Sequence, residues 1–233
     1  MGQKVNPIGF RVGITEDWLS RWYAPKAAYG EFLVEDQRIR KFVDDALNRK
    51  PPYAAVSKVE IERTRNEVKV ILHTARPGLV IGPKGAEVDK LKDALENLID
   101  RKININIVEI KNPDVDAQLV GESIAEQLKK RAGFRRVMKQ RCDSAMSAGA
   151  KGIKIMCKGR LGGSEMARSE TQIRGSIPLH TLQAHVTYGY AISRTTFGVI
   201  GVQVWIYLGR YGEEAEITAG ESRRPEGRRG KRG

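Results

Sequence analysis

The spacing of apolar residues after position 37 first predicts a helix followed by a β-hairpin. Apolar side chains recur at i, i+3, i+4, i+7 and i+8 over residues 38–48, which is typical of an amphipathic helix, and the prolines at 51–52 would end it. Branched apolar residues then alternate with polar ones over 56–63 and again over 68–73, which predicts two strands. The residues at 65–66 would form the turn of the hairpin.

A glycine-containing loop and two further elements complete this predicted domain. The hairpin is followed by a short helix, by the loop Gly82-Pro83-Lys84-Gly85, and by helical spacing over residues 88–99. Isoleucines then alternate with asparagines, so residues 103–110 are predicted as a third strand. The resulting order over about residues 38–111 is helix, strand, strand, short helix, loop, helix and strand.

Apolar spacing beyond Asn112 predicts a second domain with its own sheet. Asn112, Pro113 and Asp114 suit a linker that leads into a helix, because proline and acids are favoured in a first helical turn. A glycine turn at 159–165 is predicted to be capped by Ser164 into a short helix. The longer predicted helices cover residues 117–128 and 134–146, and the predicted strands cover residues 152–158, 185–193 and 199–208.

Both ends of the chain are predicted to be irregular and to contact a polyanion. Aromatic residues alternate with cations in residues 1–37, so the rings could stack on unpaired bases while Lys4 and Arg11 contact phosphates. Packing of this arm on the next domain is the alternative interpretation. Residues 221–233 carry six Lys or Arg against two Glu, a net charge of 6 − 2 = +4, and we expect the tail to be disordered until RNA orders it.

Composition supports a globular chain that neutralises a polyanion. Forty-one Lys and Arg against 28 Asp and Glu give a formal charge of +13 and a pI near 9.8. The alternative is that the positive charge serves solubility alone, although a domain is usually soluble with a net charge of magnitude about 2–8. Cys142 and Cys157 form no C-x-x-C pair and the three histidines lack ligand spacing, so we expect no disulfide framework, metal or cofactor. The chain has no signal-like or membrane-spanning apolar run, and we expect a cytoplasmic location.

The segment from Lys129 to Arg141 is the most basic stretch of the second domain. It contains seven cations and no acid, and Arg135, Arg136 and Lys139 can share one face of a helix. A solvated helix face is the alternative, but the absence of interleaved glutamates favours phosphate contact. Arg160 and Arg168 flank the glycine turn and are further candidates.

The loop at 82–85 has the composition of a phosphate-binding turn. Two glycines spaced by two residues let the main chain approach a phosphate, and amides at the following helix N-terminus would face it. An ordinary turn between helices is the alternative, whereas a Walker loop and a dinucleotide fingerprint both fail to match. The frame V-I-G-x-x-G-x-x-V resembles the KH nucleic-acid-binding module. Pro83 removes one backbone N–H, so we expect this loop to depend on Lys84.

The order of elements resembles that of a type II KH domain. The predicted fold class is therefore α+β, with a type II KH domain followed by a second two-layer α/β domain. The predicted divisions are an irregular RNA-binding arm at 1–37, the KH domain at 38–111, the second, rRNA-binding domain at 112–212 and a disordered basic tail at 213–233.

Several motifs in order along residues 1–210 together resemble the bacterial family of small-subunit ribosomal protein number three. They are Met1-Gly-Gln-Lys-Val-Asn-Pro, Ala75-Arg-Pro-Gly-Leu-Val-Ile-Gly, Gly159-Arg-Leu-Gly-Gly, Pro178-Leu-His-Thr-Leu, Thr195-Thr-Phe-Gly-Val-Ile-Gly and Val204-Trp-Ile. The resemblance implies a structural RNA-binding protein of the small-subunit head, located at the mRNA entry channel. Its implied partners are small-subunit rRNA, mRNA and the small-subunit proteins numbered two, ten and fourteen.

The resemblance also assigns roles to particular residues. Cations on the helix after a phenylalanine grip incoming mRNA in that family, and the matching residues are Arg135, Arg136 and Lys139. The candidate RNA contacts are Lys4, Arg11, Arg76, Gly82, Lys84, Gly85, Lys129, Lys130, Arg131, Arg135, Arg136, Lys139, Arg160 and Arg168.

Two other functional classes are open from the sequence alone. A KH-containing regulator or assembly factor would visit RNA without joining the ribosome, and high salt would wash it off the particle. A nuclease or lyase using Lys84, or an acid near the glycine loops, is a weaker hypothesis, because the sequence offers neither paired carboxylates at metal spacing nor an activated nucleophile. We therefore predict a structural ribosomal role without catalysis.

Overall fold

The computed structural model describes residues 4–49, 53–64 and 67–211, without the side chain of Lys84. Its elements form two four-stranded sheets, each with its own hydrophobic core. Predictions about the first three residues, the prolines at 51–52, the hairpin turn at 65–66 and the tail at 213–233 concern positions outside the described residues.

The first sheet has the strand order β1-β2-β3-β4 and is mixed. β2 and β3 form the predicted antiparallel hairpin, while β1 runs parallel to β2 and β4 runs parallel to β3. Helices α2 and α4 contribute Ile39 and Leu95 to the buried core of this sheet. The elements are β1 (Ser20–Arg21), α2 (Lys26–Val43), β2 (Val56–Arg63), β3 (Glu67–Thr74), the short α3 (Pro77–Ile81), α4 (Ala86–Ile99) and β4 (Lys102–Glu109), preceded by α1 (Pro7–Arg11).

Helix α2 begins well before the position predicted from hydrophobic spacing. It starts at Lys26, not at residue 38, and therefore crosses the predicted boundary between arm and KH domain. The buried position in the part of α2 before residue 38 is an acid, Asp36, which accepts hydrogen bonds from Trp22 Nε1 and Arg63 Nε at 2.8 Å each. A pattern that counts apolar residues cannot find a helix whose inward face contains a carboxylate. Trp22 of the arm is thereby packed on the first domain.

The second sheet has the order β6-β5-β8-β7, and every neighbouring pair in it is antiparallel. Helices α5 and α6 cover one face and bury Ile124 and Cys142 against Ile155, Val204 and other residues of β5 and β8. This confirms the predicted second two-layer unit. The elements are α5 (Ala117–Lys129), α6 (Phe134–Ser147), β5 (Gly152–Gly159), β6 (Arg168–Gly175), β7 (Ala184–Thr195) and β8 (Gly198–Arg210).

The short helix predicted after Ser164 is wrong, because the chain forms strand β6 there. Ser164 Oγ donates to the carbonyl oxygens of Leu161 and Met166 and closes the turn, and so does not cap a helix. β6 is an edge strand, and its sequence RSETQIRG has polar side chains on both faces. A half-buried strand is normally identified by alternating apolar and polar residues, and in β6 this alternation is too weak to predict a strand.

Close packing of α5 on β7 fixes the position of the helical layer. A Cβ at Gly189 would lie 2.2 Å from the carbonyl oxygen of Ala117, so only glycine allows this approach. Ser193 Oγ donates to Ala125 O at 2.7 Å further along the same pair. Asp116 caps α5 by accepting from the amides of Gln118 and Leu119, and it also accepts from Ser57 Oγ of β2 at 2.6 Å. The start of α5 is thereby tied to the first domain.

The first and last described segments of the chain are joined directly. The Tyr211 hydroxyl donates to Glu16 Oε1, and the Tyr211 ring stacks on His185 with ring centroids 4.8 Å apart. The arm is thus attached to the end of β8 as well as to the first domain.

Candidate nucleic-acid interface

The most basic surface of the second domain lies where α5 ends and α6 begins. Lys129 ends α5, and Gly133 is the N-cap of α6. Between them Arg131 has a φ of 62°, a left-handed conformation that costs a non-glycine residue about 1–2 kcal/mol. The turn sets the end of α5 beside the start of α6, so cations spread along residues 129–139 share one end of the helical layer.

The first turn of α6 is electrostatically unfavourable in isolation. It contains Arg135 and Arg136 and no acid, and Gly133 provides no side-chain cap. Cations at a helix N-terminus oppose the helix dipole, at a cost of about 0.3–1 kcal/mol each. A phosphate placed there would satisfy the arginines and the uncapped amides together.

Acids outside residues 129–141 neutralise part of this surface. Glu170 of β6 accepts from Arg135 at 2.9 Å although the arginine side chain is 76% exposed, Glu126 pairs with Lys130 at 3.1 Å, and Asp114 pairs with Arg141 at 3.4 Å. Within residues 4–49, 53–64 and 67–211, no ion pair involves Lys129, Arg131, Arg136 or Lys139. The stretch therefore keeps a cluster of cations available to a ligand.

Arg168 joins this cluster from the neighbouring strand. It lies two residues before Glu170, so both project from the same side of β6, the side that α6 covers. Arg135 bonds Glu170, and further along α6 Asp143 pairs with Arg174, so helix and strand run side by side. We call the exposed cations here the basic end: Lys129, Arg131, Arg135, Arg136, Lys139 and Arg168.

Arg11 corrects the predicted set of RNA contacts, because its guanidinium is fully buried. Its nitrogen atoms donate to the carbonyl oxygens of Ala184 at 2.8 Å, Thr181 at 2.9 Å and Pro7 at 3.0 Å, with longer bonds to Pro178 and Leu179. A buried arginine with its donors on main-chain carbonyls fastens the arm to the start of β7. It cannot reach a phosphate.

The other predicted cations, which lie outside the basic end, differ in exposure and in how many hydrogen bonds their side chains already make. Arg160 is half-buried and donates to Ser164 O and Phe197 O, both at 2.9 Å, so it mainly closes the glycine turn. Arg76 is exposed and makes one long bond to Tyr53 O at 3.4 Å. Lys4 is exposed and lies near Lys154, whose pKa is lowered by burial and by the charge of Lys4. The contacts of Lys4 and Arg76 with RNA stay predictions, as do those of Lys130 and of the residues of the basic end.

The G-x-x-G loop has backbone geometry that requires glycine and an acid beside it. Gly82 and Gly85 have φ of 68° and 84°, both left-handed. A Cβ at Gly82 would lie 2.5 Å from Cγ of Glu87, so this acid packs directly against the loop, where it also pairs with Lys90 at 2.9 Å. A carboxylate there opposes a bound phosphate. Contact of RNA with Gly82, Lys84 and Gly85 stays a prediction, and the Lys84 side chain lies outside the described part of the chain.

A cleft between the arm, the first domain and α5 is unsuited to phosphate. Its lining combines Trp18, Tyr29 and Tyr188 with the carboxylates of Asp116 and Glu122, among others. Burial, and the nearby charges of Asp44 and Asp116, raise the pKa of Glu122 to about 7, although Gln118 Nε2 donates to its carboxylate at 2.8 Å. Acids outnumber cations in this lining, where Glu16, Asp17 and Asp44 add to Asp116 and Glu122 against Arg40 and Lys58, so the basic end is the better RNA surface.

Sequence reasoning found the cations but missed what surrounds them. The acids that pair with Lys130, Arg135 and Arg141 come from three different elements, so a linear scan of residues 129–141 could not show them. It also passed over Lys154 and Lys158, which project outward from the second sheet. Alternation in the predicted strand at 152–158 was the available signal.

Two other kinds of site find no support in the described residues. Among residues 4–49, 53–64 and 67–211, there is no cluster of three or more His, Cys, Asp or Glu side chains arranged to hold a metal ion. Across the same part of the chain, no helix combines the length and the apolar character needed to span a bilayer.

Comparison with known proteins gives matches to both domains and to nearly the whole chain. Residues 38–115 match the KH domain model, and residues 124–206 match the model described as ribosomal protein S3, C-terminal domain. Proteins named small ribosomal subunit protein uS3 are similar along almost all of their length. The one from Pelotomaculum thermopropionicum is 53% identical over 94% of this chain and 93% of its own. Those from Desulforamulus reducens and Rhodopirellula baltica are 52% and 53% identical, over 94% and 92% of this chain and 97% and 91% of theirs.

Proposed function

Because this chain belongs to the uS3 family of small ribosomal subunit proteins, we propose that it binds rRNA in the head of the subunit and contacts mRNA at the entry channel. Membership confirms the resemblance found in the motifs, the α+β class with a KH domain, and the prediction that the chain is not an enzyme. The chain is thus a structural, RNA-binding ribosomal protein located on the ribosome.

The observation that carries the mRNA proposal is the basic end. Lys129, Arg131, Arg136 and Lys139 have no acidic partner within residues 4–49, 53–64 and 67–211, and the dipole at the start of α6 adds to their field. Such a surface binds a ribose-phosphate chain through charge, without reading its sequence. That suits mRNA, whose sequence changes continuously as it passes the entry channel.

The rRNA contacts are assigned to other surfaces. Lys4 at the start of the arm and the cations in the sequence of the tail at 213–233 are the residues proposed for these contacts. The small-subunit proteins numbered two, ten and fourteen are the proposed protein neighbours, and the particle works in the cytoplasm. Each of these assignments follows the family resemblance together with the charge of the chain.

The test is a triple variant in which Arg135, Arg136 and Lys139 are replaced by alanine. A single-stranded contact contributes about 0.7 to the slope of log affinity against log salt, so we expect the slope for mRNA binding to fall by about 2. Subunits carrying the variant should assemble normally and translate unstructured mRNA at the usual rate. They should slow severalfold when a stable hairpin enters the channel.

A matched control removes the same charge from the first domain. Arg38, Lys41 and Lys92 are exposed residues of α2 and α4, and their combined replacement by alanine should leave passage through hairpins unchanged. Equal slowing by both triple variants would show that net charge alone matters. Normal passage by the first variant would contradict the assignment of mRNA to the basic end.

A further inference from the structure

Within residues 4–49, 53–64 and 67–211, helices cover only one of the two faces of the second sheet. Ile153, Ile155 and Cys157 of β5 point into the core beneath α5 and α6, so the alternate residues Lys154, Met156 and Lys158 point the other way. The strand register extends this outward face from β5 across β8 to β7 in three rows. The rows are Lys154, Trp205 and Tyr188; Met156, Gln203 and Tyr190; and Lys158, Gly201 and Ile192.

Part of this outward face is covered and part is open. Ile177 and Leu179 pack on Ala184, Val186 and Tyr207 at one end, where Arg11 also fastens the arm. Toward the turn between β7 and β8 the side chains are exposed, with Tyr190 at 48%, Ile192 at 51% and Val199 at 58%. These three exposed side chains occupy neighbouring positions on one face of the sheet. Such a patch indicates a surface that another molecule covers in the assembled particle.

The open face is positively charged throughout. Lys154, Lys158 and Arg194 project from it, and Lys4 of the arm lies close enough to Lys154 to affect it electrostatically. Glu170 is the only acid in the four strands, and it points to the opposite side, where it bonds Arg135. A face whose four described strands present cations and no acid is complementary to a polyanion.

The aromatic residues of this face are placed as stacking platforms. The Tyr190 ring lies over Gly201, where a Cβ would come within 3.4 Å of its hydroxyl. Lys154 Nζ lies 5.1 Å from the centroid of the Trp205 ring, which contacts the Tyr188 ring at 5.4 Å. Gln203 Nε2 donates to the Tyr188 hydroxyl at 3.2 Å and helps to hold that ring. Flat rings interleaved with lysines on an open sheet bind the faces of unpaired bases and the phosphates between them.

We propose that the open face of the second sheet binds unpaired nucleotides of RNA, with Tyr190 stacking on a base and Lys154, Lys158 and Arg194 contacting phosphates. The inference rests on the proposed function and deepens it, because it gives the second domain an RNA surface opposite the basic end. Duplex RNA hides the faces of its bases, so a stacking surface selects single-stranded segments. A basic protein partner would be repelled and a neutral one would gain nothing from the charge, whereas unpaired RNA supplies both phosphates for the cations and base faces for the rings, which favours RNA over an acidic protein.

The test compares two replacements at one position in the full-length purified chain. Tyr190→Leu removes the ring but keeps an apolar side chain, whereas Tyr190→Phe keeps the ring and loses only the hydroxyl. Binding of a labelled single-stranded 12-nucleotide RNA is measured by fluorescence anisotropy in about 0.3 M salt, which weakens phosphate contacts elsewhere on the chain. We expect Tyr190→Leu to weaken binding about tenfold and Tyr190→Phe to bind as the parent does. Affinity for a blunt RNA duplex should be unchanged in both.

The outcomes separate this inference from the proposed function. Failure of the parent chain to bind any RNA would overturn both. Tight binding by the parent with no difference between Tyr190→Leu and Tyr190→Phe would overturn only the role of the open face. Equal melting temperatures of the two variants would show that the comparison does not report misfolding.

A second measurement identifies what covers the face in the particle. A photo-crosslinking amino acid at position 192 should attach to rRNA nucleotides in assembled subunits, because Ile192 is exposed beside Lys158. Attachment only to another protein would overturn the proposal and make the face a protein interface.

Discussion

Replacement of Arg11 by methionine distinguishes most clearly between a structural role and an RNA-binding role for a cation of the arm. Methionine fills a similar volume but leaves the carbonyl oxygens of Ala184, Thr181 and Pro7 without the guanidinium that now donates to them at 2.8–3.0 Å. Hydrogen bonds to a charged donor contribute about 1.5–3 kcal/mol each, so three would give about 4.5–9 kcal/mol if they were additive. Entry of water to the carbonyls reduces this, and we expect a loss of about 3–5 kcal/mol in the free energy of unfolding.

Urea unfolding followed by far-UV circular dichroism measures this loss, and limited proteolysis of the arm shows where it acts. Arg11→Lys should be intermediate, because one ammonium group cannot reach all the carbonyls that the planar guanidinium reaches. The exposed Arg38 gives a matched control, since Arg38→Met should change stability by less than about 0.5 kcal/mol. Unchanged stability of Arg11→Met together with weaker RNA binding would refute the structural role and restore the contact predicted from the sequence.

Two further predictions follow from single carboxylates. Glu170→Gln frees Arg135 and removes an acid beside the basic end, so affinity for single-stranded RNA in about 50 mM salt should rise about two- to fivefold. The control Glu31→Gln, at an exposed position of α2, should leave this affinity unchanged. Equal affinity of Glu170→Gln and the parent would contradict the pairing of Glu170 with Arg135. The pKa of Glu122 is raised from 4.5 to about 7, so its contribution to stability is present below pH 4.5 and is lost as the pH rises through 7. Between pH 5 and pH 8, the free energy of unfolding of the parent should therefore fall by about 1–2 kcal/mol more than that of Glu122→Gln, a value that allows for the partial exposure of this side chain. Urea titration of both proteins at both pH values measures the difference. Parallel pH profiles would contradict the burial of this acid.

Much of the fold could be predicted because the long strands alternate cleanly. β7 and β8 place apolar or small residues such as Ala191 and Val204 inward, and the observed strands extend only a few residues beyond the predicted ones. The hairpin of β2 and β3 and the helix α4 also match, because their inward positions are aliphatic. The same signal failed at α2, whose inward face contains Asp36, and at β6, an edge strand with polar residues on both sides.

The candidate site was predictable in position but not in detail. Arg135, Arg136 and Lys139 could be placed on one helix because three or four residues bring side chains to one face. Their neutralisation could not be predicted, since Glu170 lies in a strand that the sequence did not reveal. The sequence predicts Arg11 as a phosphate contact because the residues around it do not show whether its side chain is exposed to solvent or buried. The carbonyl groups that bind it are about 170 residues away along the chain.

The bond between Tyr211 and Glu16 has a consequence for synthesis of the protein. Synthesis reaches Glu16 195 residues before Tyr211, so Glu16 has no partner for this bond until both domains have been made. Each domain can fold as it emerges, and β1 can then pair with β2, whereas the part of the arm before β1 has to wait for β7 and β8. A nascent chain therefore exposes this part of the arm, with Ile8 and Phe10, until the second domain is complete, and a chaperone that holds it until then would protect the chain from aggregation.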